Sequence, residues 1–397
     1  MPPQVQAGGG AKPTLQQANM AARQLVLGQS LPMVQNIYSN TITNPGSTAN
    51  VINVIPRNVG MITKFTVEIT GSLTNTGTTS VTPTNFNIAN FLSQIVFNDL
   101  NNNTRIQTAG WHMNLLNTVK NMKMGPFGSA LVISTGEDMP IKYGSNYETG
   151  LFACPATIGA TSTGTATMTY EIPLAYNEHD LRGAVYAQVV NATMLLQLTI
   201  NPNPIVAATA DGTLSLFQGT GGAGSFTSVT VNVYQHFLDQ LPIGKSGPVL
   251  PVQDLSTIYG LNNTSLTGMV KNQDFPIPYA NFRDFLSTSV IWDNGGTLTA
   301  GTDISYWALQ SANFTNIFKI DPYLASLFVR KRIQCDVPVG CYYFDHRQKP
   351  ISTIQYGNLE LIQNISATVN SGAQDILGFE YFALVNTISG AGSLAAG

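Results

Sequence analysis

The residue sets in this chain that could do chemistry are few, and each is incomplete. Gly219-Thr220-Gly221-Gly222-Ala223-Gly224 has the GxGxxG spacing that holds a pyrophosphate against a helix N-terminus. That motif needs a helix next. Ser225 to Tyr234 instead alternates apolar and polar residues, so a long turn into a strand is expected. His112, His179, His236 and His346 are not spaced as metal ligands, and Cys335 and Cys341 lack a second pair to complete a zinc site. Glu178-His179-Asp180 could be an acid–base cluster, but sequence neighbours in a turning chain rarely converge. Capping of a short helix over Glu178 to Val185 is the plainer reading. Arg330-Lys331-Arg332 could meet nucleic acid, yet a solvated helix end or an intersubunit salt bridge fits it better. No catalytic, metal or cofactor site follows.

Composition points the same way. Charged residues make up 10% of the 397, against about 25% in ordinary soluble domains. Interface cores are depleted in charge, so a surface this poor in it suits contact with other protein. Hydrophobic residues at 43% allow a large core, and the length suits two or three domains. Net charge is −3, with no basic stripe for nucleic acid. The three cysteines, an odd number, form no disulfide framework and suggest a reducing compartment. No signal peptide and no apolar run of about 20 residues is legible.

The elements that must position any surface are mostly strands. Before them, Thr14 and Gln17 form a capping box, and Leu15, Ala18, Ala22, Leu25 and Val26 lie on one face of the helix that follows. Arg23 falls on the opposite face, with Lys12 just upstream. After Pro32 period-two patterns take over, as in Phe65-Thr66-Val67-Glu68-Ile69 and Met168-Thr169-Tyr170-Glu171-Ile172. Turn clusters such as Asn44-Pro45-Gly46 and Asn294-Gly295-Gly296 punctuate them. Pro242 to Pro251 reads as a connector between two β-domains. A second helix is expected after Asp321, with Pro322 at its first position. The reading divides the chain into a helical arm (1–31), a first β-domain (32–245), a second (246–388) and a flexible tail (389–397). The first nine residues read as flexible too.

The halves also echo each other. Asn90-Phe91-Leu92-Ser93, five residues and Asp99 returns as Asp284-Phe285-Leu286-Ser287, five residues and Asp293. Thr108-Ala109-Gly110 returns as Thr299-Ala300-Gly301. With many strands and one late helix in each half, the echo is read as a duplication in which these segments are equivalent strands.

Several stretches resemble one family, the tectivirus-type double jelly-roll major capsid proteins of membrane-containing icosahedral bacteriophages. They include Gly110-Trp111-His112, Pro140-Ile141-Lys142-Tyr143-Gly144, Pro155-Ala156-Thr157-Ile158, Pro173-Leu174-Ala175-Tyr176, Leu238-Asp239-Gln240-Leu241-Pro242, Gln355-Tyr356-Gly357-Asn358 and Glu380-Tyr381-Phe382, in family order. The departures concentrate near 72–85, 120–130 and 201–224. The resemblance implies an all-β fold of two eight-stranded jelly rolls side by side, with an N-terminal helix and short helices in long loops. It also implies a homotrimeric, pseudo-hexagonal tile of an icosahedral shell around a membrane vesicle and double-stranded DNA. Its partners would be itself, neighbouring trimers, minor capsid, vertex and penton proteins, and the internal membrane near the N-terminus, with no sequence-specific nucleic acid contact. The protein would assemble in the bacterial cytoplasm and reside in the virion. On this reading Lys12, Leu15, Ala18, Ala22, Arg23, Leu25 and Val26 form a helix that touches a neighbour or lies near lipid. The rival readings are a secreted double jelly-roll glycan hydrolase, which needs convergent acids, and a lectin or adhesin.

Overall fold

The computed structural model describes residues 14–46, 49–84, 86–120, 154–188, 192–207, 214–245, 247–298, 301–311, 314–333 and 340–384, with the backbone alone at 314–315 and 329–333. Lys12, Cys335 and the two terminal segments expected to be flexible lie outside these residues.

The first half carries β1 (Leu31–Thr43), β2 (Asn50–Val54), β3 (Met61–Asn75), β4 (Leu92–Asn98), β5 (Thr104–Thr108), β6 (Thr163–Pro173), β7 (Leu195–Ile200) and β8 (Gly224–Asp239). The second carries β9 (Thr257–Thr267), β10 (Asp274–Pro278), β11 (Asp284–Asp293), β12 (Ile304–Ser311), β13 (Phe314–Ile320), β14 (Cys341–Asp345), β15 (Leu359–Ile365) and β16 (Gln374–Leu384). In the first half the strands pair as β1-β8-β3-β6 and β2-β7-β4-β5. Adding eight to each number gives the second half: β9-β16-β11-β14 and β10-β15-β12-β13. Each half is a jelly roll, and the two have one topology.

That equivalence corrects the sequence echo. Phe91 to Asp99 runs along β4, the fourth strand of its roll, whereas Phe285 to Asp293 is β11, the third. The segments are not equivalent, and the repeated letters carry no support for duplication. The shared order of strands does.

Both rolls place a helix between their fifth and sixth strands. In the second roll it is Pro322–Ile333, as expected, with the Leu324 amide donating to Asp321 Oδ1 at 2.8 Å. In the first roll it is not at Glu178 to Val185, where the chain makes turns held by a bridge between Asn177 and Asp180. It is Gly110–Lys120, whose residues from Gly110 to Leu116 are all buried. A helix buried all round shows no polar face, so its period is invisible in sequence. Gly110 lets its first turn enter: a side chain there would strike the Ala89 and Leu92 carbonyl oxygens. With Leu15–Gln29 and the short turns Val252–Leu255 and Thr353–Tyr356, the α-helices among the described residues are α1 (Leu15–Gln29), α2 (Gly110–Lys120), α3 (Val252–Leu255), α4 (Pro322–Ile333) and α5 (Thr353–Tyr356).

The two rolls differ in how their β1-type sheets are buried. In the first, Val229, Val231 and Val233 of β8 face the core while Thr230, Asn232 and Tyr234 face out. In the second, β11 and β16 are buried on both faces along nearly their whole length. One face holds Val290, Trp292, Leu377 and Phe379 in the second roll's own core. The other adds Tyr259, Leu261, Ile291, Ile376 and Phe382 to the core of the first roll. Each fully buried large side chain contributes on the order of 1.5–3 kcal/mol, so this shared core binds the rolls strongly. One strand pairing crosses between them. Ile106 and Gln107 of β5 run parallel to Leu261 and Asn262 of β9, which joins β2-β7-β4-β5 and β9-β16-β11-β14 into one sheet.

Candidate functional site: the contact between the rolls and the surfaces left open

α2 is the wedge between the rolls. Its outer side lies on the outward face of β16, where the His112 ring occupies the space a side chain at Gly378 would need. Thr108 and His112 Nδ1 are hydrogen-bonded at 2.7 Å, and burial pulls the imidazole down to about 4, so it is neutral at pH 7. At the other end of α2, Lys120 Nζ lies 3.3 Å from Glu380 Oε1 and donates to the Tyr259 hydroxyl at 2.6 Å. Tyr259 in turn donates to Glu380 Oε1 at 2.7 Å. Ser287 donates to Glu380 Oε2 at 2.7 Å, and Arg347 reaches the same oxygen through Nε at 3.0 Å and Nη2 at 2.7 Å.

Glu380 is wholly buried, which opposes its charge. The Arg347 and Lys120 cations outweigh that cost and hold the carboxyl well below the usual range. Burial draws Lys120 down to about 8, against the pull of Glu380. Four residues from both rolls thus meet on one carboxylate. This cluster was not anticipated from sequence. Its members stand as far apart as Lys120 and Glu380, and only the family-like Glu380-Tyr381-Phe382 hinted at it.

The N-terminal helix docks differently from its pattern. The capping box is present, with the Thr14 amide donating to Gln17 Oε1 at 2.9 Å and the Gln17 amide to Thr14 Oγ1 at 3.2 Å. The docked side is Asn19, Arg23 and Val26, not the whole apolar stripe. Arg23, read as part of a helix touching a neighbour or lying near lipid, forks onto buried Asp254 of its own chain at 2.6 and 2.5 Å and lies 3.5 Å from Asp180. Asn19 donates to Asp254 at 2.9 Å and accepts from the Gln253 amide at 2.9 Å. Val26 is buried and Ala22 half-buried, while Leu15, Ala18 and Leu25 are exposed. At about 100° per residue, Ala18 and Leu25 fall beside the docked side, while Leu15 lies on its line one turn before Asn19 and is exposed there.

Other expected chemistry finds structural partners. Glu178-His179-Asp180 is no acid–base site: Asp180 is forked by Arg182 at 2.9 and 2.6 Å. Gly219–Gly224 turns directly into β8, as expected. Cys341 is a buried free thiol. Among the described residues no group of three or more His, Cys, Asp or Glu could hold a metal, and no helix is long and apolar enough to cross a membrane. A cavity of about 620 Å³ opens beside α4, lined by Phe318, Ile320, Ala325, Phe328, Phe344 and Asp345 among others. Among the described residues Asp345 is the one carboxylate in its lining, so they supply no paired acids of a glycan hydrolase there.

Comparison with known proteins decides the family. A model of the P3 major capsid protein N-terminal domain matches residues 5–241, and one of the P3 major capsid protein C-terminal domain matches 256–396. This chain belongs to the P3 major capsid protein family. It is 41% identical to Major capsid protein P3 of Enterobacteria phage PRD1 over 382 residues, 95% of this chain and 94% of that one. That family is structural, and the hydrolase and lectin readings fall with it. The fold is shared more widely. The crystal structure of the STIV MCP matches with a TM-score of 0.62 at 11% identity, covering 91% of this chain and all of the other. A quasi-atomic model of the PBCV-1 virus capsid matches at 0.52 and 11%, covering 93% and 97%.

Glu380→Gln should show what the cluster holds. It leaves Lys120 and Arg347 uncompensated under the shared core, and breaking such a buried pair costs about 3–5 kcal/mol. Because the folded carboxyl is depressed, its contribution is present above the unfolded value near ~4.3 and is lost as pH falls below it. Denaturant titration from pH 4 to 8 should therefore find the largest gap between native and variant at neutral pH.

Proposed function

We propose that this capsid protein works as a homotrimeric, pseudo-hexagonal tile in which the contact between its two rolls is repeated between chains. The observation behind this reading is the equivalence of the rolls. Inside the chain, the fifth strand of roll one runs beside the first strand of roll two, and α2 covers the outward face of β9-β16-β11-β14. The equivalent parts at the far ends are uncovered. Among the described pairings β13 has a neighbour only in β12, and β1 only in β8. On α4, Tyr323, Leu327 and Phe328 are exposed, at 67%, 43% and 52%. The outward face of β1-β8-β3-β6 is open and crossed by paired hydroxyls at Thr41–Thr230, Thr70–Thr167 and Thr74–Thr163, with Lys64, Glu68 and Glu171 towards one end of β3 and β6.

One operation satisfies all of these. α4 of one chain lies on the β8-β3-β6 face of the next, and β13 runs beside that chain's β1. Such a head-to-tail contact between unlike surfaces closes into a ring when its rotation allows. Two rolls per chain and six positions give three chains. The sparse charge suits a permanent interface, of about 2,000–5,000 Å². The chain then divides as read from sequence, with rolls at 32–245 and 246–388 between an N-terminal arm and a tail.

Tiles form an icosahedral shell, with minor capsid, vertex and penton proteins at special positions and a membrane vesicle with double-stranded DNA inside. For α1, the uncovered Leu15, Ala18 and Leu25, with Met20 also exposed, support a second contact beyond its own chain. The stripe is small and weakly basic, so lipid alone would hold it weakly. A neighbouring subunit near the membrane fits better. The polar dock at Asp254 makes the helix separable, because removing it returns that carboxylate to water.

Two measurements test this reading. Leu327→Glu with Phe328→Glu should turn the trimer into a folded monomer at micromolar concentration by light scattering, while Ile354→Glu, on another exposed surface, should not. A double variant that trimerises as the native protein does would remove α4 from the interface. Deleting residues 1–28 should leave soluble trimers but impair shell assembly. Normal membrane-filled particles from the truncated chain would contradict the role given to α1.

A further inference from the structure

The second roll encloses a carboxyl group that none of the surfaces above uses. Asp375 stands on β16 in step with Leu377, Phe379 and Tyr381, which project into the core between the roll's two sheets. It is fully buried, and neither carboxyl oxygen has a hydrogen-bond partner among the described residues. The Gln363 amide, from β15, is the polar group that acts on it, and both Gln363 side-chain atoms are otherwise unpartnered. The rest of the surroundings are apolar or aromatic. Trp292 of β11 and Leu266 of β9 flank it in register. Trp307 of β12 pairs with Gln363, and its ring lies 5.1 Å from that of Tyr342 on β14. The Trp292 and Trp307 indole N–H groups are buried without acceptors among the described residues.

Glu380, five residues along the same strand, shows the contrast. It has Arg347, Lys120, Tyr259 and Ser287 to hold its charge. No Lys, Arg or His among the described residues acts on Asp375. The titratable groups near it are Tyr342, whose proton the Asp375 charge would help to retain, and beyond that Asp303 and Cys341, which act on the same tyrosine. Asp293, at the end of β11, is occupied by the Gly296 amide at 2.6 Å and Gln374 at 3.2 Å. An ionised Asp375 would thus be a buried charge with one neutral amide beside it, which a protein interior does not tolerate without neutralising it.

We propose that Asp375 is carried as a neutral acid paired with the Gln363 amide, and that this pair makes the second roll the alkali-sensitive half of the subunit. As an acid the group can donate to Gln363 Oε1 and accept from Nε2, so a small side-chain rotation satisfies all four atoms. Burial pushes the carboxyl well above its ordinary value, in line with the geometry. The consequence has a definite sign. Unfolded, the group ionises above about pH 4; folded, it keeps its proton. Folding therefore takes up a proton in that window, and each pH unit moves the equilibrium about tenfold toward the unfolded chain until the folded group itself titrates.

The test compares the full-length protein with Asp375→Asn at one fixed protein concentration, by denaturant unfolding from pH 5 to 9. Asparagine has the same shape and no proton to take up. The native protein should lose stability relative to the variant by about tenfold in the folding constant per pH unit, so that the variant is the more stable above neutrality. Parallel curves, or a variant weaker at every pH, would overturn the proposal. Infrared spectroscopy of protein with isotope-labelled aspartate gives an independent answer if the variant does not fold. At pH 7 the native protein should show the carbonyl stretch of a protonated carboxylic acid. Its absence would mean that Asp375 is ionised and the proposal is wrong.

Discussion

One buried carboxylate fixes the relation between the two halves of this subunit. Glu380 sits on the outward face of the second roll, where no water can satisfy it, and it takes its partners from both halves. Arg347, Tyr259 and Ser287 hold it from its own roll, and Lys120 arrives at the end of α2 from the other. Apolar packing between the rolls is broad but not directional. A charge that must be paired in one geometry adds the register that packing alone lacks. Once Lys120 is placed, α2 is placed, His112 fills the gap over Gly378, and β5 lies along β9.

From that register follows the difference between the rolls. The second roll's β1-type sheet is covered on both faces, and β11 and β16 carry nearly continuous apolar runs, interrupted by Ser287, Ser289, Gly378 and Glu380 on the face towards the first roll and by Thr288 and Asp375 on the other. The first roll's equivalent sheet is covered on one face, and β3 and β8 alternate apolar with polar residues, mostly Thr, Ser and Asn but also Lys64, Glu68 and His236. The same topology carries two surface chemistries, one apolar at the contact inside the chain and one rich in hydroxyls on the face left open.

Much of this was legible in the residues. Half-buried strands announce themselves by alternation, so β3, β6 and β8 were placed correctly. Local chemistry also read true: Thr14 with Gln17 capped α1, and Asp321 with Pro322 began α4. What failed was whatever depended on distant partners. α2 has no polar face because both rolls bury it, so its helical period vanished. Arg23 looked free because Asp254, its partner, lies 231 residues away. The echo of Phe-Leu-Ser misled for a different reason. A few letters in an apolar strand are weak evidence against the order of eight strands.

The central claim is that the contact seen once within the chain occurs again between chains. A cryo-electron microscopy reconstruction of the soluble oligomer at side-chain resolution tests it most directly. The account predicts three chains in which α4 covers the outward face of the next chain's β8, β3 and β6, with β13 running parallel to that chain's β1. An oligomer in which α4 faces solvent, or in which the Thr-rich face of the first roll is left open, would contradict it.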